Sequence, residues 1–258
     1  MPFHFKQFVV DDTQSAMKVG TDSVLLGAWI NYNGASNILD IGTGCGLLAL
    51  IAAQNTDASI VGIEINEQAY YQASSNFAAS KWTERLSCIL ADFRDYSKEL
   101  FAHKELDAHP REANERMIGS SVKRTFDLII SNPPYFSNSL KSGVTGRDNA
   151  RHDTGLPISD LIKNSKHLLS EQGRLSVIFP YSEYTQLDLL CKNEGLLLTR
   201  QTFVIPKHGK EPNRILLEYS NISFADCEVN EIMIRDEHGK YTPEYLKLTE
   251  PYYLHLKQ

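Results

Sequence analysis

Residues 39–50 read "LDIGTGCGLLAL". The apolar run that enters this stretch, from Asn37, has the composition of a buried strand, and the run that leaves it, "LLALIAAQN" (47–55), has that of a helix. Asp40, Gly42, Thr43, Gly44 and Gly46 therefore fall at a strand-to-helix junction. Glycines at alternate positions permit positive φ angles and carry no Cβ, so a ligand can approach the backbone closely. The helix that comes next offers unpaired N–H groups at its start.

Outward from this junction the same unit repeats. "SIVGIEI" (59–65), "LSCILAD" (86–92), "FDLIIS" (126–131) and "GRLSVIFP" (173–180) read as further strands. "EQAYYQASSNFAAS" (67–80), "ISDLIKNSKHLLS" (158–170) and "EYTQLDLLCKNEG" (183–195) read as helices. Strands alternating with helices indicate a parallel sheet covered on both faces. "LLLTRQTFVI" (196–205) and "RILLEYS" (214–220), split by the turn-rich "PKHGKEPN", read as an antiparallel hairpin closing one sheet edge. The expected architecture is α/β and Rossmann-like, with a seven-stranded, mostly parallel sheet and helices on both faces. One domain spans 1–258, with an N-terminal lead (1–36), a core (37–220) and a C-terminal addition (221–258) that includes a hairpin around "DEHGK" (236–240). Residues 102–125, charged and without apolar periodicity, read as a disordered surface insertion, with a substrate-gripping loop as the alternative.

Composition narrows the class. Hydrophobic residues at 42% and charged residues at 22% of 258 are ordinary for a globular enzyme. No apolar run approaches the ~18–20 residues of a membrane span, and the first residues lack the pattern of a signal peptide. Four cysteines without a CxxC pair suggest neither a metal site nor a disulfide framework, which points to the cytoplasm. A net charge of -6 argues against a nucleic-acid coat protein but leaves room for a local basic face.

The glycine turn has partners in register. Glu64 ends the second strand, 20 residues after Gly44, where an acid can hold both hydroxyls of a ribose. Asp92 ends the third strand, where it can meet an adenine ring. The spacing is GxGxG rather than the GxGxxG of a dinucleotide site, and a carboxylate near the glycines suits a cationic amino group. The combination resembles the S-adenosyl-L-methionine (SAM) site of class I methyltransferases.

The fourth strand ends in "SNPPYF" (131–136). In the class I fold that tip lies beside the sulfonium methyl, and "NPPY" there resembles the motif of enzymes that methylate planar nitrogens. An sp2 amine is a poor nucleophile because its lone pair is delocalised. The amide oxygen of Asn132 and the carbonyl of Pro133 can hold its hydrogens and favour the pyramidal, positive transition state. Pro133 and Pro134 fix the backbone. Tyr135 offers a flat face worth ~1–3 kcal/mol per stacked base, and Phe136 adds to the wall.

"MKVGTDSVLLGAW" (17–29), "ARHD" (150–153) and the terminal "YLKLTEPYYLHL" extend the likeness over nearly the whole chain. Taken together they resemble the bacterial valine-tRNA adenine-37 N6-methyltransferases. That resemblance implies SAM bound by Asp40, Gly42, Thr43, Gly44, Gly46, Glu64, Asp92 and Asn132, under a lead carrying Lys18, Thr21 and Asp22. It implies adenine taken from a tRNA anticodon loop by Asn132, Pro133, Pro134 and Tyr135. Arg151, His152, Lys207, Lys210 and Arg214 are the expected grip on RNA. The alternatives are a protein glutamine methyltransferase acting on release factors, another RNA or DNA adenine methyltransferase, and a non-catalytic RNA-binding module. The first carries a helical domain for which 36 residues before the first strand leave no room. The second, where it acts on DNA, usually carries a sizeable target-recognition domain, and none is visible here. The third would not need Asp40, Glu64 and Asn132 together.

Overall fold

A computed structural model describes residues 2–15, 18–108, 125–133, 155–222 and 226–254. In chain order the elements are β1 (Phe3–His4), β2 (Val9–Val10), α1 (Thr21–Trp29), β3 (Asn37–Ile41), α2 (Leu47–Asn55), β4 (Ser59–Glu64), α3 (Glu67–Ala79), β5 (Leu86–Leu90) and α4 (Phe93–Ala108). They continue with β6 (Phe126–Ser131), α5 (Ile158–Leu168), β7 (Leu169–Pro180), α6 (Tyr184–Asn193), β8 (Leu197–Ile205), β9 (Arg214–Ser220), β10 (Glu228–Met233) and α7 (Pro243–Thr249). β1 and β2 form a small antiparallel ribbon.

Among the described residues the main sheet has eight strands in the order β10-β8-β9-β7-β6-β3-β4-β5, not the expected seven. Only β9 runs against the others; β10, from the C-terminal addition, pairs parallel with β8. The β8–β9 hairpin is present as read, yet it does not close the edge, because β10 covers β8 and β9 is flanked on both sides. β10 escapes a sequence reading because its first four residues, Glu228 to Glu231, are exposed and alternate polar with apolar too weakly to register. β7 begins at Leu169 rather than 173, but its regular pairing with β6 resumes only at Arg174. Between these points a Cβ on Gly173 would stand 2.8 Å from the Phe126 carbonyl oxygen, so glycine lets the bulge close. α4 continues to Ala108, into the segment expected to be an insertion; residues 109–124 lie outside the described residues.

The sheet is apolar on both faces, as parallel strands between helices must be. Ile38 faces one core with Leu25, Leu26, Leu50 and Ile51, while its neighbour Leu39 faces the other with Ile63, Leu100, Leu161 and Leu187. The aromatic tail is pinned to the lead: Lys6 N–H donates to the Tyr252 carbonyl at 2.8 Å, and Phe5 stacks on Tyr253. Among the described residues no helix is long and apolar enough to cross a membrane.

The strand order reverses between β3 and β6. β3 leads through α2 to β4 on one side, while β6 pairs with β3 on the other. Ligands of open α/β sheets bind at the carboxyl ends of the strands beside such a reversal.

Gly46 opens α2 with φ 84, and a Cβ there would stand 2.5 Å from Phe77 Cε1. Gly46→Ala should therefore lower the unfolding free energy by about 2–5 kcal/mol, from left-handed strain and overpacking together. Urea titration of the two proteins measures it.

Candidate active site at the carboxyl ends of the strands

The turn after β3 is built by backbone groups. Gly42 and Thr43 both donate N–H to the Ile63 carbonyl, at 2.9 and 3.0 Å, and Gly46 N–H closes onto the Thr43 carbonyl at 2.8 Å. Gly42, Gly44 and Gly46 all have positive φ, between 58 and 84. Glu64 braces this turn: Oε2 accepts from Gly44 N–H and Oε1 from Asn66 N–H, both at 2.9 Å. A Cβ on Gly42 would meet nothing within 4 Å, so open space lies before the turn.

Asp40 is wholly buried, and its Oδ2 accepts from Thr43 Oγ1 at 2.6 Å, while Oδ1 has no partner among the described residues. Gly62 permits this, since a Cβ there would stand 2.9 Å from Thr43. Burial pushes the Asp40 carboxyl up to about 7.

Asp92 comes just after β5 and is clasped by Arg94, whose Nε lies 3.0 Å from Oδ1 and whose Nη2 also binds the carboxylate. Hydrogen bonds from Arg94 hold its carboxyl below the usual range.

The lead lies across the turn. Ser15 Oγ comes within 3.7 Å of the Cβ position of Gly44. α3 anchors this segment: Asp11 N–H donates to Asn76 Oδ1 at 3.0 Å, and Gln14 N–H to Gln72 Oε1 at 2.8 Å. Lys18 is exposed, with its ammonium on the carbonyls of Asp12 and Thr13. Thr21 and Asp22 start α1, and Asp22 pairs with Arg214 at 2.9 Å. Two residues expected to serve different ligands are thus joined.

At the other strand end, Ser131 Oγ donates to the Ile41 carbonyl at 2.8 Å. Asn132 and Gly42 are consequently the residues that leave the ends of two adjacent strands. Asn132 is 7% exposed, and its Nδ2 donates to Ser23 Oγ of α1 at 2.8 Å. Pro133 is buried beside it. Pro134, Tyr135, Phe136, Arg151 and His152 lie outside the described residues. Lys207 and Lys210 are exposed in the β8–β9 turn, where Lys210 N–H donates to the Lys207 carbonyl.

Ser15, Ser23, Gln72 and Asn76 are not among the residues that the sequence singles out. Each acts through a partner dozens of residues away, and Ser23 alone stands in a stretch, "GTDSVLL", that carries a signal of its own.

Two relatives share this arrangement of sequence end to end. A Bacteroides fragilis protein named tRNA1(Val) (adenine(37)-N6)-methyltransferase is 38% identical over 252 residues, 98% of this chain and 97% of its own. One of the same name from Flavobacterium psychrophilum is 40% identical over 255 residues, 98% and 99% of the two chains. The chain belongs to the tRNA1(Val) (adenine(37)-N6)-methyltransferase family. Residues 58–223 also match the Eco57I restriction-modification methylase family, and residues 7–99 the protein-L-isoaspartate(D-aspartate) O-methyltransferase family. A predicted O-methyltransferase, Atu636 of Agrobacterium tumefaciens, superposes with a TM-score of 0.60 at 16% identity, over 92% of this chain and 100% of that one. The fold is that of the class I SAM-dependent methyltransferases, and the cofactor of this family member is SAM.

The residues fit that cofactor: open space before left-handed glycines, an acid at the end of β4, and a second at the end of β5. Asp40 carries a testable signature. The folded protein holds its proton more tightly than the unfolded chain, where aspartate titrates near 3.8, so this group makes stability fall as pH rises from about 4 to about 7. Asp40→Asn retains an acceptor for Thr43 and should flatten that fall. Urea unfolding of both proteins across this pH range checks it; equal slopes would remove Asp40 as the cause.

Proposed function

We propose that the protein transfers a methyl group from SAM to N6 of adenine 37, beside the anticodon of a valine tRNA. The observation that carries this reading is the placement of Asn132. Its amide sits one strand from the glycine turn, nearly enclosed, with Nδ2 held by Ser23. The relatives' shared name supplies the substrate.

Bound SAM would supply an electrophilic methyl on a sulfonium. We assign its binding to the turn of Gly42, Thr43, Gly44 and Gly46, with Glu64 on the ribose and Asp92 toward the adenine ring. Lys18, Thr21 and Asp22 belong to the lead that covers it. With Nδ2 donating to Ser23, the amide of Asn132 carries Oδ1 as its acceptor, and an exocyclic N6–H is the donor it suits. The Pro133 carbonyl is the second acceptor. Both hold hydrogens of the attacking nitrogen while it becomes positive, so they stabilise the transition state more than the flat, neutral amine. No strong base is required, because the proton turns acidic once the nitrogen is methylated. Tyr135 and Phe136 stack on the base in this reading, and an unpaired loop base is easily splayed into the pocket. Arg151, His152, Lys207, Lys210 and Arg214 grip the strand.

Incubation with radiolabelled SAM and either total tRNA or release factor separates the substrates. Label in tRNA, recovered as N6-methyladenosine after nucleoside digestion, is the expected result; label confined to protein would overturn it. Asn132→Ala should lower kcat by about 10²–10³-fold, with SAM affinity little changed. Ser23→Ala removes one neutral hydrogen bond and should lower kcat about fivefold without raising KM for SAM.

A further inference from the structure

A cleft of about 280 Å3 opens between the first turn of α1, the β8–β9 turn and the chain after β10, lined by Thr21, Asp22, Asn213, Arg214, Arg235 and Tyr241 among others. It lies at the same end of the sheet as the glycine turn, since Ile205 and Met233 end parallel strands there and Arg214 begins the antiparallel one.

Its chemistry is that of an anion site. Arg235 lies with its guanidinium 4.1 Å from the centroid of Tyr241, which stacks in turn on Tyr245 at 5.0 Å and 21°. Nη1 of Arg235 donates to the Gly239 carbonyl at 2.6 Å, so the plane of the guanidinium is held by a ring and a backbone group. A guanidinium immobilised in this way presents its remaining N–H groups as a fork that matches phosphate oxygens.

The nearby acids are engaged elsewhere. Asp22 pairs with Arg214, Asp236 Oδ1 accepts from the N–H groups of His238 and Lys240, and Glu237 lies 3.4 Å from His238. Among the described residues no carboxylate comes within ion-pairing distance of Arg235. Lys207, Lys210 and Lys240 are exposed around it, and His208 N–H donates to the Arg235 carbonyl, which joins the two turns into one surface.

We propose that this cleft binds a backbone phosphate of the tRNA, with Arg235 as its donor and Tyr241 as the platform beneath it. The proposal rests on the reading of the protein as a tRNA adenine methyltransferase. The cleft opens on the first turn of α1, whose Ser23 also holds Asn132, so the bound phosphate lies in the same loop as the methylated base. The cleft would then seat the strand beside the target that Asn132 holds.

The test is tRNA binding by fluorescence anisotropy over about 50–200 mM KCl, for the wild type, Arg235→Gln and Arg235→Lys. Arg235→Gln should bind about 5–10-fold more weakly, with the slope of log K against log salt shallower by about 1, and Arg235→Lys should keep the wild-type slope. SAM affinity should be the same in all three. A wild-type slope in Arg235→Gln would overturn the proposal. So would an equal loss in Arg235→Lys, which would trace the effect to the hairpin rather than to charge. Ethylation interference is the second measurement: one modified phosphate of the anticodon loop should weaken binding in the wild type and lose that effect in Arg235→Gln, and the same interference in both proteins would count against the cleft. Wild type that neither binds nor methylates tRNA would instead sink the proposed function itself.

Discussion

The Glu64 carboxylate accepting the Gly44 N–H ties the end of β4 to the turn after β3, and the Ile63 carbonyl beside it takes two more N–H groups from the same turn. These contacts oblige the chain to leave β3 through left-handed residues, which glycine alone adopts without strain. Once the turn is bent this way, α2 starts against Phe77, Thr43 drops into the space that Gly62 leaves, and Asp40 finds its hydroxyl partner. The lead then has a surface to cross. Loss of the brace would loosen all of these together, because they share one short stretch of backbone.

The second organising element is the first turn of α1. Ser23 reaches Asn132 at the tip of β6, while the adjacent Asp22 reaches Arg214 at the head of β9. The proposed methyl transfer to a planar amine asks for an acceptor aimed within a narrow cone, and an asparagine side chain left to itself rotates. The Ser23 hydroxyl, on a helix packed into the main core, restrains the Asn132 amide. Arg214 is steadied by the same turn, so the proposed methyl-transfer centre and the proposed grip on RNA share a support.

Much of this is legible in the residues. Strands and helices stand out because buried parallel strands are nearly uninterrupted apolar runs, and the glycine turn announces itself by spacing. β10 does not, since an edge strand with its outer half in solvent carries little hydrophobic signal. Asp40 reads as a ligand partner because its position beside the glycines is visible in one dimension; its complete burial and its bond to Thr43 are matters of packing. Ser23 depends on a contact between distant segments, and local pattern carries no trace of it, while Arg235 is held by Gly239 and Tyr241 of its own turn, in a stretch that no motif marks. Of "SNPPYF", Ser131, Asn132 and Pro133 are among the described residues, at the tip of β6 where the strand order reverses.

Because neighbouring residues of α1 engage partners on strands either side of β7, the helix has no freedom to turn about its own axis. A residue inserted within a helix rotates the segments on its two sides relative to each other by about 100°. A single-residue insertion between Asp22 and Ser23 would therefore let at most one of the two side chains keep its partner. Length variation among natural descendants of this chain should accordingly be purged between those two residues.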